Sequence, residues 1–455
     1  MKENCIFNGD YLNVFFTFEE ENNLYSIKDE KGTYVWDVVR FYVYEKVVAD
    51  IIIKGEKKRN CRFYLHLVSS FFMWVKALFV KRECFFLLQT RNKKNGKLYD
   101  KSSWNIINSL EREKVIAVES YNKTGEYDYD FLTLRSLPTN LLKPFVKIPQ
   151  FNFQPIIDVV KSEYPHSNIT EKFLKTYYER FYCEKHTYKF FFARWGIKKC
   201  FYVLNDLHKG LISACQELNI PCFELQHGIV ERYHLGYSYP SIDIASHSYM
   251  PNMIFSFSPF WFSDIYMPKT KVVPVGNDEF YIQPSLYSDK AHQRIVVISN
   301  SIMGPVLADF ILDCIKDDFF MGYHFLFKLH PQQFSERKKY EQKFKTQQNI
   351  KVITDEYDMS YIVGTCENML LIHSTAAFEM LQGGGKVFIL NSPGYTELER
   401  IFDEKNVYLI NNIDNFKEGL LNKKNNDTPL FFDKFNKKIF GKSINRNLSY
   451  DSEIR

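Results

Sequence analysis

From residue 199 to 410 the chain alternates short apolar runs with helix-length segments, and that alternation constrains the fold more than any other feature. Residues 201–204 and 221–225 read as strands on either side of a helix over 208–218. A strand, a helix and a second strand at this spacing imply a parallel sheet. Residues 254–256 and 272–275 continue the pattern, and a polar stretch from about 281 to 293 reads as a linker. Beyond it, strands are predicted at 294–299, 325–329, 351–354, 369–372, 386–390 and 407–410. Helices are predicted between them at 306–315, 333–346, 359–365 and 376–382. Such a series describes a doubly wound, Rossmann-like domain.

A length of 455 residues suits two domains. The expected division is 1–280 and 281–455, each Rossmann-like, with the tail after Lys424 wrapping or fraying. The first third is less regular. It suggests a helix over 36–50, strands at 51–54, 84–88 and 115–119, a basic turn at Lys57-Lys58-Arg59, a proline-marked connector over 138–155 and a helix over 173–182. A hydrophobic content of 45% excludes a disordered chain. The net charge of +5 fits anionic substrates or the inner membrane face, and is too small for a nucleic-acid binder.

Nine cysteines, an odd number without a C-x-x-C pair, read as reduced thiols of a cytosolic protein and not as a disulfide frame or zinc site. The opening Met1-Lys2-Glu3-Asn4 has no signal-peptide pattern. The most apolar stretch, 63–80, is uncharged only as far as Val75, short of the ~20 residues a membrane span needs. It reads as a buried helix, or as an interfacial one with Phe71, Phe72, Trp74 and Phe79 in lipid and Lys76, Lys81 and Arg82 at headgroups.

Three motifs sit where strands give way to loops, the place where open α/β sheets bind ligands. In Gln226-His227-Gly228 the glycine allows a sharp turn, so that His227 can project as a general base, with Gln226 orienting the ring or an acceptor. A histidine bonded to a buried carbonyl is the competing interpretation. In Lys328-Leu329-His330-Pro331 the proline fixes the direction of His330, and Lys328 lies on the same side of the strand, a pattern suited to phosphate. In His373-Ser374-Thr375, followed by Glu379, the hydroxyls are either a helix cap or a phosphate cradle, and Glu379 holds ribose hydroxyls or faces solvent. Ser299 and Asn300 follow the first strand of the second domain and could touch a donor phosphate. Gly383-Gly384-Gly385 is better explained as a helix stop, and Asp128-x-Asp130 as chance, so no metal site is expected.

With these residues in view, the chain resembles bacterial GT-B glycosyltransferases of capsule and lipopolysaccharide assembly. The nearest groups are CMP-sialic acid and Kdo transferases and CDP-glycerol glycerophosphotransferases. His330-Pro331 and Ser374-Thr375 match the family's nucleotide-binding H-P and Ser-Ser/Thr motifs, and His227-Gly228 matches the His-Gly motif that supplies the base in the glycerophosphotransferases. Sialyltransferases carry an acidic pair before the glycine, where this chain has Gln226 and His227. The resemblance covers about 199–410 and implies two Rossmann-like domains facing across a cleft. It implies an inverting, metal-independent transferase that uses a nucleotide sugar, CMP-linked by preference, as substrate with no further cofactor. A glycan or glycolipid would be the acceptor, in the cytoplasm or peripherally at the inner membrane face. A glycerophosphotransferase, a nucleotide-sugar epimerase and a non-catalytic scaffold are the alternatives.

Overall fold

The computed structural model describes residues 10–52, 75, 77–90, 92–94, 96–119, 132–134, 143–232, 234–241, 243–244, 248–265, 267, 269–283, 291–300, 303–392 and 394–445. The chain forms two compact units, Leu12–Glu279 with Phe435–Arg455, and Phe280–Lys434 with Met1–Tyr11.

The first unit opens with helices α1 (Asp10–Glu21) and α2 (Val35–Ile52). There follow β1 (Cys84–Leu88), a hairpin of β2 (Asn92–Lys94) and β3 (Lys97–Tyr99), α3 (Trp104–Asn108), β4 (Val115–Glu119) and β5 (Leu132–Leu134). Next come α4 (Gln154–Glu163), α5 (Glu171–Trp195), β6 (Lys199–Tyr202), α6 (Lys209–Glu217), β7 (Cys222–Leu225), β8 (Met253–Ser256) and β9 (Lys271–Pro274). Seven strands join in the order β5-β4-β1-β6-β7-β8-β9, all parallel. Both faces of this sheet are covered, which explains strands as uniformly apolar as Cys-Phe-Phe-Leu-Leu in β1. Phe85 and Leu87 pack against Phe192 and Trp195 of α5, while Phe86 and Leu88 enter the opposite core with Phe201 and Phe223.

Two predicted elements change here. The helix predicted over 173–182 is longer because Thr170 Oγ1 caps it, accepting from Phe173 N at 3.2 Å, and no stop comes before Gly196 at φ +79°. The strand predicted at 51–54 is absent at its start: α2 runs through Ile52, since neither glycine nor proline interrupts it before Gly55. The basic turn at 57–59, most of the apolar stretch 63–80 and the Asp128-x-Asp130 pair lie outside the described residues. Among the described residues no helix is long and apolar enough to cross a membrane.

The second unit follows the predicted series closely. It contains β10 (Ala291–Ile298), α7 (Gly304–Cys314), β11 (His324–Lys328), α8 (Arg337–Lys343), β12 (Ile350–Ile353) and α9 (Met359–Thr365). It continues with β13 (Cys366–Leu371), α10 (Ala376–Gln382), β14 (Lys386–Leu390), β15 (Val407–Ile410) and α11 (Ile413–Leu421). The parallel order is β12-β11-β10-β13-β14-β15, the doubly wound arrangement that starts in the middle and turns back once. The helix predicted over 333–346 starts as a 3-10 turn, Pro331–Glu336, and becomes α-helical only at Arg337.

The start of the predicted linker is part of this unit. Gln382, fully buried, donates to the carbonyls of Ile282 (2.8 Å) and Phe432 (3.0 Å), and its own oxygen accepts from Phe431 N and Phe432 N, both at 2.8 Å.

The tail after Lys424 is divided: it stays with the second unit as far as Lys434, and its described residues from Phe435 onward belong to the first. Its helix α12 (Lys437–Ile444), capped by Asn436, places Phe440 and Ile444 in the core of the first unit beside Phe201, Phe223 and Phe255. Each unit is thus a Rossmann-like α/β layer structure.

Candidate functional site

In the second unit the strand order reverses between β10 and β13, and the loops leaving these two strands carry Ser299-Asn300 and His373-Ser374-Thr375. Asn300 Nδ2 lies 3.1 Å from His373 Nε2. The amide cannot turn freely, because Asn300 Oδ1 accepts from Met303 N at 2.6 Å, so its NH₂ group faces the imidazole. On the other side of the ring, His373 Nδ1 stands 3.1 Å from Glu397 Oε2, in the 3-10 segment Tyr395–Ile401. The histidine side chain is 28% exposed and the glutamate 49%.

Gly394, at φ +97°, lets the backbone pass beneath the ring, where a Cβ would come within 2.9 Å of His373 Cδ2. Burial, the largest influence on the imidazole, works to lower its pKa. The hydrogen bond and charge of Glu397 outweigh it and hold the pKa above the ordinary histidine value.

Ser374 Oγ accepts from Ala376 N at 3.2 Å and so shapes the turn into α10. Thr375 occupies the cap position but makes no side-chain capping bond. The helix is only seven residues long, so the hydroxyls and the imidazole are the polar groups this loop has to offer a ligand.

A second cluster joins the loops after β10 and β11. Ser299 Oγ donates to Gln333 Oε1 at 2.9 Å, and the same oxygen accepts from His330 N at 3.2 Å. Gln333 Nε2 donates to Tyr340 Oη at 3.4 Å. Gly304 is needed at this crossing, since a Cβ there would sit 2.5 Å from Ser299 Oγ and 2.7 Å from Tyr340 Oη. Gln333, fully buried, was read from the sequence only as the start of a helix. A lone glutamine carries no sign of what it will bridge.

His330 and Pro331 are exposed at the strand tip. Lys328 departs from its expected part. Its ammonium donates to the carbonyls of Thr354 (2.7 Å) and Tyr357 (3.0 Å), tying down the loop after β12, and burial lowers its pKa. Glu379 is buried within α10, 4% exposed, and does not face solvent.

The remaining motif belongs to the first unit. Gln226, 1% exposed, accepts from Phe257 N at 2.8 Å and donates to Gly228 O at 2.9 Å, stapling the loops that leave β7 and β8. It therefore builds the support for His227, which is half-buried in the same loop. Gly228 is not in the left-handed region, and a Cβ there would meet nothing within 4 Å, so the expected sharp turn is not what its glycine serves. Farther along this loop Arg40, buried with Glu19, donates to the carbonyls of Leu235 (2.8 Å) and Ser238 (3.0 Å).

Polar residues without a motif gather at the ends of the neighbouring strands β6 and β7. Leu204 lies at φ +67°, an uncommon conformation for leucine. Asn205 donates to Gly236 O at 2.9 Å. Glu224 accepts from Asn205 N at 3.1 Å and from the Tyr237 hydroxyl. Burial pushes the Glu224 carboxyl up to about 8. One glutamate inside an apolar strand gave the sequence reading no signal.

Among the described residues one group has the proximity for a metal: Cys200, Cys215 and Cys222, whose sulfurs lie within 4.8 Å of one another. All three are fully buried in the apolar core between the sheet and α5–α6.

No protein-family model matches the chain, and no curated protein sequence matches it. Among solved structures, the Methanocaldococcus jannaschii UDP-GlcNAc 2-epimerase in complex with UDP-GlcNAc and UDP is similar over 80% of this chain and 98% of its own, at 12% identity and a TM-score of 0.49. The S. aureus MnaA–UDP structure covers 74% and 86% of the two chains at 11% identity, TM-score 0.43. Acinetobacter baumannii MurG covers 81% and 93% at 8% identity, TM-score 0.41. Likeness at this level is one of layering, and residue roles rest on the site itself.

Proposed function

We propose that the protein is an enzyme acting on a nucleotide-activated sugar, with the nucleotide phosphate held in the second unit by His373, Ser374, Thr375 and Asn300. The observation that carries this reading is the meeting of two loops at the sheet's reversal point, with Asn300 Nδ2 3.1 Å from His373 Nε2. Two half-buried hydroxyls follow directly in the chain. Hydrogen-bond donors converging outside the carboxyl ends of parallel strands suit an anionic oxygen. His330, exposed at the neighbouring strand tip, is a further donor for the same ligand.

The finer reading is an inverting transferase that extends a surface glycan. In it His227 takes the proton of the acceptor hydroxyl, and the second unit stabilises the departing phosphate without a metal. The motif resemblance favours cytidine as the base. An epimerase is the second reading, favoured by Glu224. Burial pushes this carboxyl up to about 8, so it would serve as an acid if the site opened to a substrate there.

Titration calorimetry with CMP, CDP, UDP and GDP, followed by incubation with the preferred nucleotide sugar alone, tests the assignment. Binding of one nucleotide with no product until an acceptor is added is expected. Conversion without acceptor would replace the transferase by the epimerase, and binding of none of the four would remove the enzyme reading altogether.

A further inference from the structure

We infer that His373 is the catalytic acid of the nucleotide site: it meets the leaving phosphate oxygen as an imidazolium and passes it the Nε2 proton, while Glu397 acts as the residue that positions the ring. The inference rests on the nucleotide-sugar reading above and adds a chemical step to it.

The geometry is that of an oriented imidazole. Glu397 Oε2 at 3.1 Å fixes the proton on Nδ1, and Gly394 leaves room for the ring to lie flat over the backbone. Nε2 then faces the one side occupied by a side-chain amide, that of Asn300 at 3.1 Å. Because Met303 N occupies the amide oxygen, Asn300 can only donate toward the ring, and it does so while Nε2 is unprotonated. Once Nε2 gains a proton the two nitrogens are both donors and their mutual bond is lost. Two N–H groups then open onto the same space, and an anionic oxygen placed there satisfies both. Protonation of His373 and capture of an anion are thus coupled in one small arrangement.

In the reaction, the bond between the sugar carbon and the phosphate oxygen breaks and its electron pair goes to that oxygen. The His373 Nε2 proton follows it. The acceptor oxygen forms the new bond to the carbon and gives its proton to the base. Solvent returns a proton to His373 before the next turnover.

Among the described residues Glu397 is the charged group that acts on His373; Asn300 and Gly394 on the opposing segments do not titrate. It raises the pKa, so the acid form persists to higher pH than in an ordinary histidine and is lost as pH rises through the raised value. Turnover should be steady on the acid side of that value and fall on the alkaline side. In Glu397→Gln the ring stays hydrogen-bonded but the charge is gone, so the alkaline fall should begin at lower pH. His373→Gln, which keeps a donor but has no proton to give, should lower turnover by ~10²–10⁴ and abolish this fall.

The tests are pH profiles of turnover for the three proteins, with melting temperature and nucleotide affinity measured on each. Calorimetry of nucleotide binding in buffers of differing ionisation enthalpy should show proton uptake by the wild type at alkaline pH and none by His373→Gln. An alkaline limb unmoved in Glu397→Gln, with nucleotide still bound, overturns the acid assignment alone. Equal losses of melting temperature and activity with no change in the pH profile would make the dyad structural. Failure of the wild type to bind any nucleotide overturns this inference together with the reading beneath it.

Discussion

Single residues in this protein divide into those that hold a loop and those that a loop holds out, and neighbours in sequence can fall on opposite sides. Gln226 and His227 are the clearest pair. Gln226 is buried and spends both ends of its amide on Phe257 N and Gly228 O, whereas His227 is half-buried. Replacing Gln226 by Ala would strand the buried Phe257 N–H, at about 1–3 kcal/mol, and release the partly buried Gly228 carbonyl to solvent. His227→Ala should instead leave melting nearly unchanged and lower turnover by ~10²–10⁴ if the ring is the base. Thermal melting and turnover measured on the two variants separate the roles. A folded His227→Ala protein with near-normal turnover would remove the base assignment. The sequence placed both residues at a strand end but could not say which one packed, because that depends on the neighbouring strand β8, some thirty positions away.

At the scale of elements, the sheets are held by apolar strands and the site by a few close crossings of their loops. The junction of the β10 and β11 loops is one of these. Ser299, Gln333 and Tyr340 converge on the space beside Gly304, where even a methyl group would lie 2.5–2.8 Å from polar atoms of all three. Gly304→Ala therefore has to push the cluster apart, at ~1–3 kcal/mol of stability. It should also weaken nucleotide binding, since Ser299 Oγ and His330 N share Gln333 Oε1. A variant with wild-type melting temperature and affinity would show that the cluster yields without effect. Lys328 teaches the same lesson in the other direction. Strand alternation placed it correctly beside the loops, but its flexible stem let the ammonium settle on the carbonyls of Thr354 and Tyr357.

For the whole molecule, two self-contained sheets on one chain predict that damage to one need not reach the other. Helix α12 allows a direct trial, because Phe440 and Ile444 lie in the core of the first unit although they follow the whole second unit in sequence. Ending the chain after Lys434 should remove about 3–6 kcal/mol of apolar burial from that unit, at 1.5–3 kcal/mol per buried side chain. Calorimetry should then show a lowered transition for the first unit, with nucleotide affinity in the second largely kept. Loss of both together would mean that the units do not unfold independently. By itself the sequence determined the alternation of strands and helices from about 199 to 410 and the strand-end positions of all three motifs, while α1, α3, α4 and β5 in the first unit went unread. It could do so because those properties depend on apolar runs and local periodicity, which a chain carries along its length. Only the tertiary structure decided that the tail packs into the first unit, that Gln333 and Gln226 are braces, that Glu224 is buried, and that Glu397 and Asn300 lie on either side of His373. Each of these depends on which distant segment arrives at a given strand end. A hydrogen bond between residues 73 positions apart, as in Asn300 and His373, leaves no period in the sequence to read.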